Sequence, residues 1–288
     1  MDTDVPRTIA FRTSEALTLV ADAYGDPSAP PVVLVHGGGQ TRHSWGGTAK
    51  RLAAAGWQAI VYDQRGHGDS DRSPDGKYHV EYFATDLRDV VASLPSPAVA
   101  VGASLGGLAA LLVAGELQPG LLRALVLVDI TPRQEAPGVD RIVSFMLDRA
   151  VEGFATLDEA ADAVAAYQPH RERPDNHDGL RKNLRLDPDG RWRWHWDSNL
   201  FNSDSGLSSA SSPGRMQRAA EALTLPTLLV RGRLSDLVSE ETAAEFMESV
   251  PHAEFVDVSG AGHMVAGDRN DRFTDAVAAF LEDLPPLP

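Results

Sequence analysis

The stretch VGASLGG, Val101 to Gly107, decides how the rest of the chain is read. It closes a run of strand character, AVAVGAS (98 to 104), and opens an apolar segment of helical character, Leu105 to Gln118, ended by Pro119 and Gly120. Gly102, Ala103, Ser104, Leu105 and Gly106 therefore match a G-x-S-x-G elbow in the strand-turn-helix setting that the motif requires. At such a turn the serine backbone is strained, and the residues two before and two after approach too closely for any but very small side chains. Gly102 and Gly106 supply that room, and Gly107 lets the helix settle on the sheet. The helix N-terminus adds partial positive charge beneath the hydroxyl and beneath any oxyanion formed there. A glycine-rich turn with an incidental serine is the plain alternative, and the rest of the sequence has to choose.

Outward from the elbow, short β-rich runs alternate with helical patterns, the signature of a parallel sheet covered by helices on both faces. RTIAFRT (7 to 13) and LTLVADAYG (17 to 25) read as an edge hairpin. PVVLVHG (31 to 37) and QAIVYDQRG (58 to 66) are continuous enough in apolar content to be interior strands, with a helix near Trp45 to Ala55 between them. A helix over Val80 to Leu94 and a strand RALVLVDI (123 to 130) complete the units around the elbow. From about Thr131 to about Leu223 this period breaks into amphipathic helices and a polar stretch, with a Ser- and Gly-rich, hinge-like loop at 203 to 214. It resumes with LPTLLVRG (225 to 232), a helix from Glu240 to Val250, AEFVDVSG (253 to 260) and a last helix near Arg272 to Leu284. The expected organisation is a core of residues 1–131 and 224–288 carrying a cap at 132–223.

Composition narrows the function. With 26 basic against 41 acidic residues the net charge is −15, and no basic run exists, which argues against nucleic acid and anionic membrane as partners. There is no cysteine, so disulfides, thiolate metal sites and a cysteine nucleophile are excluded. The first residues, MDTDVPRTIAFRTSE, do not read as a secretory signal, and no span is long and apolar enough to cross a bilayer. The expectation is a cytoplasmic protein; a homodimer is left open.

A serine hydroxyl needs a base to take its proton, and that base must be held in one tautomer by a third group. SGAGHMVAG places His263 in a small-residue turn after the last strand, and RLSDLVS places Asp236 after LPTLLVRG. The order Ser104, Asp236, His263 is the Ser, acid, His order of one hydrolase sheet. Asp129, at the end of VLVDI, is the rival for the acid, because it too ends a strand. Asp236 as a helix cap and His263 as a surface histidine are the uneventful readings. His36 and His67 sit in turn-rich surroundings that suit hydrogen-bonded scaffold, and His170 and His177 lack metal-binding spacing, so no metal is expected. Acyl transfer also needs amide donors for the oxyanion. Leu105, after the nucleophile, supplies one, and the run His36-Gly37-Gly38-Gly39 supplies the other, with Gly38 preferred and Gly39 as the fallback.

With those residues in place the chain resembles the α/β-hydrolase superfamily, in particular the bacterial enzymes grouped with epoxide hydrolases, cofactor-free haloperoxidases and small esterases. VVLVHGGG, YDQRGHGDSD, VGASLGG, LLVRGRLSD and GAGHMV look like family blocks in family order, and only the insertion falls outside them. The resemblance implies an α/β-hydrolase fold: a mostly parallel eight-stranded sheet with helices on both faces and a helical cap between the sixth and seventh strands. It implies no cofactor. Epoxide and haloalkane chemistry in that group uses an aspartate at the elbow, so Ser104 turns the expectation toward carbonyl substrates. Leu105 stands where haloperoxidase-like perhydrolases usually carry methionine, which weakens that option.

Substrate selection in such enzymes lies with the cap. Trp192, Trp194 and Trp196 alternate with Arg193 and His195 in GRWRWHWD (190 to 197) and form one aromatic face if extended, either a pocket wall or the cap's own core. The pocket candidates are Gly39, Phe145, Met146, Trp194 and Met264. The leading expectation is hydrolysis of a small, largely apolar ester or lactone through an acyl-enzyme. The alternatives are carbon-carbon bond hydrolysis of the meta-cleavage-product type, and a ligand-binding receptor on the same fold with little turnover.

Overall fold

The computed structural model describes residues 5–169, 173, 176–201, 213–265 and 270–286. The first two strands, β1 (Arg7–Arg12) and β2 (Thr18–Tyr24), form an antiparallel hairpin. β3 (Pro31–Val35), β4 (Gln58–Tyr62), β5 (Ala98–Ala103), β6 (Leu122–Val128), β9 (Thr227–Gly232) and β10 (Glu254–Val258) run parallel to one another. Two short strands, β7 (Leu184–Leu186) and β8 (Trp192–Trp194), make a separate antiparallel hairpin in the insertion. The main sheet has the order β1-β2-β4-β3-β5-β6-β9-β10. Among the described residues its antiparallel pairings are those of β2. This is the eight-stranded, mostly parallel sheet expected from the resemblance, with the insertion between its sixth and seventh strands.

The apolar runs set the layers. β3 is buried at every position, and its period of two sends Val33 and Val35 to one face and Val32 and Leu34 to the other. The first face packs on α2 (Val80–Ala92), α3 (Leu105–Leu112) and part of the insertion. The second packs on α1 (Gly46–Ala54) and the last helix, α9 (Asn270–Glu282), where Trp45 meets Phe273 at 5.6 Å between ring centroids. The helix after the elbow stops earlier than its apolar pattern suggests. It is α-helical to Leu112 and continues as a π-turn over Val113–Leu117.

The insertion contributes α4 (Ala136–Leu147), α5 (Leu157–Tyr167), α6 (Asp178–Arg181), the β7/β8 hairpin and α7 (Pro213–Glu221). α7 rests on the core: Gly115 meets the Ala219 carbonyl so closely that no side chain fits, and Gln217 Nε2 donates to Ser249 Oγ (2.8 Å) at the end of α8 (Glu240–Ser249). Most of the Ser- and Gly-rich loop at 203 to 214 lies outside the described residues. Among the described residues no helix is long and apolar enough to cross a membrane.

Charged groups buried beneath the sheet's carboxyl end fix the loop after β4. Asp63 accepts the Arg42 N–H (2.6 Å), the Asp69 N–H (3.0 Å) and a bond from the Arg42 guanidinium, which also reaches Asp22 (3.0 Å). Arg65 holds both oxygens of Asp86 at 2.7 Å. Bidentate pairing of this kind fixes geometry as well as charge. The loop it fixes, 63 to 70, carries His67 toward the site and clasps the cap. Tyr78 donates to Asp197 Oδ2 (2.7 Å), the Gly68 N–H to His195 O (2.7 Å), and the Asp197 N–H to Gly66 O (2.7 Å).

Candidate active site

The elbow has the geometry its glycines predict. Ser104 sits at φ 48°, ψ −116°, a backbone state sparsely populated for a non-glycine residue and held there by its surroundings. A Cβ on Gly102 would lie 2.5 Å from the Gly106 carbonyl oxygen, and one on Gly106 would lie 2.5 Å from the Val35 carbonyl oxygen. A side chain on Gly107 would collide with Ile130, so this glycine lets α3 lie close to the sheet. The turn is tied to its neighbour strand through Ser104 N–H to Val128 O (3.2 Å).

That bond places Ser104 beside the residue that follows β6. Asp129 is fully buried and also left-handed, at φ 49°. Its carboxylate collects three donors: Gly232 N–H on Oδ1 (2.9 Å), and Ser235 Oγ (2.5 Å) and His263 Nδ1 (2.8 Å) on Oδ2. A carboxylate only accepts, so His263 Nδ1 carries the hydrogen and Nε2 is left as the basic nitrogen. His263 itself is largely buried, with 12% of its side chain exposed.

The carboxylate that holds His263 is therefore Asp129 and not Asp236, which corrects the expected pairing. Asp236 Oδ2 pairs instead with Arg141 Nη1 of α4 (2.7 Å), and both side chains are more than one-third exposed. The difference has a local cause. Ser235 turns its hydroxyl inward to Asp129, and its Oγ also accepts the Leu237 and Val238 N–H groups (3.1 Å each), so the next residue is left facing the cap. Gly138 of α4 packs directly on the Asp236 backbone.

The glycine turn after β3 distributes its amides unequally. Gly37 N–H donates to Gln40 Oε1 (3.0 Å), and Gly39 N–H, at φ 77°, donates to His67 Nε2 (3.0 Å). Gly39 is thereby removed as an oxyanion donor. Among the described residues neither the Gly38 N–H nor the Leu105 N–H, in the first turn of α3, has an internal acceptor. Ser104 Cβ is 3.4 Å from the position a Gly37 Cβ would take, so the glycine turn faces the serine.

His36 and His67 brace this turn as neutral rings. Each donates Nδ1–H to a carbonyl, Gly37 O at 2.8 Å and Arg65 O at 2.9 Å. Each accepts a backbone N–H at Nε2, from Gln64 and Gly39, both at 3.0 Å. Burial pushes His36 down to about 4 and His67 down to about 3. An unfolded histidine takes up its proton below about pH 6.5. Between that pH and the folded values the unfolded chain binds more protons, so stability falls as pH falls, by up to about 1.4 kcal/mol per pH unit for each ring. We expect the urea midpoint to drop between about pH 7 and about pH 4.5, and His67→Gln, which keeps an acceptor for Gly39, to drop less. Equal slopes for the two proteins would count against a neutral His67.

The aromatic stripe divides. Trp194 is packed between Phe145 (5.8 Å) and Phe154 (5.4 Å) in the cap's own core, which corrects its expected place in the pocket wall. Trp196, two residues on, lies instead beside the glycine turn. Its Nε1 and the Met146 side chain approach Gly39 from the cap, and His67 bridges to Trp196. Phe145 stacks on Tyr167 at 4.1 Å, and Met264 Sδ accepts from Gln40 Nε2 (3.0 Å), tying the histidine loop to the glycine turn. Sequence reasoning passed over Gln40 and Ser235. Only their positions, beside the glycine run and three residues after Gly232, marked them. His170 lies outside the described residues, and His177 pairs with Asp158 (3.3 Å). Among the described residues no three His, Asp or Glu side chains are grouped to hold a metal ion.

Comparison with known proteins gives a consistent picture. A family described as alpha/beta hydrolase fold matches residues 30–269. An esterase of Mycobacterium tuberculosis is 31% identical over 262 residues, covering 88% of this chain and 84% of the relative. A 2-(acetamidomethylene)succinate hydrolase of Mesorhizobium japonicum is 31% identical over 235 residues, 77% of this chain and 78% of that protein. Among solved structures, an alpha/beta hydrolase from Novosphingobium aromaticivorans superposes with a TM-score of 0.82 at 29% identity, over 98% of this chain and 99% of that one.

Proposed function

Because the chain belongs to the alpha/beta hydrolase family, we propose that it hydrolyses carboxylic esters or lactones of small, largely apolar compounds through an acyl-enzyme on Ser104. The observation that carries this is the buried bond from His263 Nδ1 to Asp129 (2.8 Å), with Asp129 directly beside the strained serine turn. In this reading His263 Nε2 takes the Ser104 proton as Oγ attacks the acyl carbon. The Gly38 and Leu105 amides receive the developing oxyanion, a contribution of about 3 kcal/mol per donor. The same imidazole then protonates the leaving alcohol, and water attacks the acyl-enzyme with His263 again as base. The work of Asp129 is to fix the tautomer and balance the imidazolium charge.

The chemistry of the elbow supports ester over epoxide substrates, since a serine with an imidazole base suits a carbonyl centre. Met146, Trp196 and Met264 present apolar surface near the glycine turn, which favours uncharged acyl or alkoxy groups. The relative named as an esterase supports the same substrate class. The test is labelling with a fluorophosphonate followed by peptide mapping, alongside turnover of short p-nitrophenyl esters. The label is expected on Ser104, together with ester turnover. A label at another residue, or labelling without turnover of any ester or lactone, overturns the reading.

A further inference from the structure

The hydroxyl of Ser235 has no freedom in where it sends its hydrogen. A serine oxygen offers one donor and two acceptor sites. Both acceptor sites of Ser235 Oγ are filled by backbone groups, the Leu237 N–H and the Val238 N–H at 3.1 Å each. Its only hydrogen therefore goes to Asp129 Oδ2, 2.5 Å away, which is the oxygen that also holds His263 Nδ1. The other carboxylate oxygen is held by Gly232 N–H at 2.9 Å. Asp129 is fully buried, so no solvent can replace a lost donor without rearrangement.

We propose that Ser235 is a positioning residue for the reaction: its hydroxyl fixes the rotation of the Asp129 carboxylate and shares the charge on the oxygen that orients His263. The inference rests on the hydrolase reading above. Without the hydroxyl, the carboxylate keeps Gly232 on one oxygen but loses the contact that sets the tilt of the other. The charge that Ser235 withdrew from Oδ2 is then offered to His263 alone, which stabilises the protonated imidazole.

Two consequences separate this from a merely structural role. Ser235→Ala is expected to lower kcat about tenfold or more with little change in KM, since a hydrogen bond to a charged group is lost away from substrate. The acidic limb of the kcat/KM profile is expected to move to higher pH, because His263 holds its proton more tightly. Ser235→Thr, which keeps the hydroxyl, is expected to restore both. Ser235→Cys, with a weak S–H donor, is expected to fall between. If the alanine variant does not fold, the cysteine variant decides. A kcat within twofold of the parent and an unmoved acidic limb, in whichever of these folds, overturns the proposal. Ser104→Ala and Asp129→Asn are measured in the same assay. If they retain activity, the hydrolase reading itself fails; if they lose it while Ser235→Ala does not, only the role of Ser235 fails.

Discussion

Asp129→Asn is expected to lower kcat by about 10³- to 10⁴-fold, while Asp236→Asn stays within about threefold of the parent. The asparagine amide has the size of the carboxylate, so packing around position 129 is kept. What it loses is charge and one acceptor. Turning its NH₂ toward His263 leaves two donors facing each other; turning its oxygen there points the NH₂ at the Gly232 N–H, which now bonds Oδ1 at 2.9 Å. Either way the hydrogen-bond set around the residue fails, and the imidazole spends its time in the wrong tautomer. Asp236→Asn removes an exposed pair with Arg141, a contact of the kind worth between nothing and about 1 kcal/mol. Steady-state kinetics on a p-nitrophenyl ester checks both variants, with thermal melts to show that each is folded. Reversed sensitivities would return the acid to the position after β9.

Ser104→Ala is expected to reduce kcat by at least about 10⁴-fold with unchanged thermal stability or a slight gain. The loss is large because the nucleophile and base act as a unit, and removal of either leaves only the oxyanion donors and substrate binding. Stability is preserved because Ser104 Oγ makes no internal hydrogen bond among the described residues, and alanine occupies no more space. The strained backbone at φ 48° remains, as the glycines around it do. The combination separates a catalytic serine from a structural one. A fall in both activity and melting temperature would mark Ser104 as part of the scaffold.

Much of this was legible before any coordinates. The elbow could be read because its three requirements, a strand before, a helix after and glycines two residues away on either side, are all local. The interior strands could be read because they are buried on both faces and so show as unbroken apolar runs. The acid could not be read with the same security. Asp129 and Asp236 follow neighbouring strands that pair Val128 with Val230, so chain position brings both to the same end of the sheet. The choice lies in side-chain direction, set by the left-handed turn at Asp129 and by Ser235 facing it, and neither has a one-residue signal. The tryptophans fail for a similar reason. Trp194 and Trp196 share a face in an extended segment, but β8 ends at Trp194, and Trp196 belongs to the clasp with His67.

The two bracing histidines have a consequence for reading pH dependence. Rings wedged between a carbonyl and an amide, as His36 and His67 are, remain uncharged across the neutral range, so they stay silent where a hydrolase's rate curve bends. A bend near neutral pH in that curve therefore comes from neither of the rings that hold the glycine turn in place.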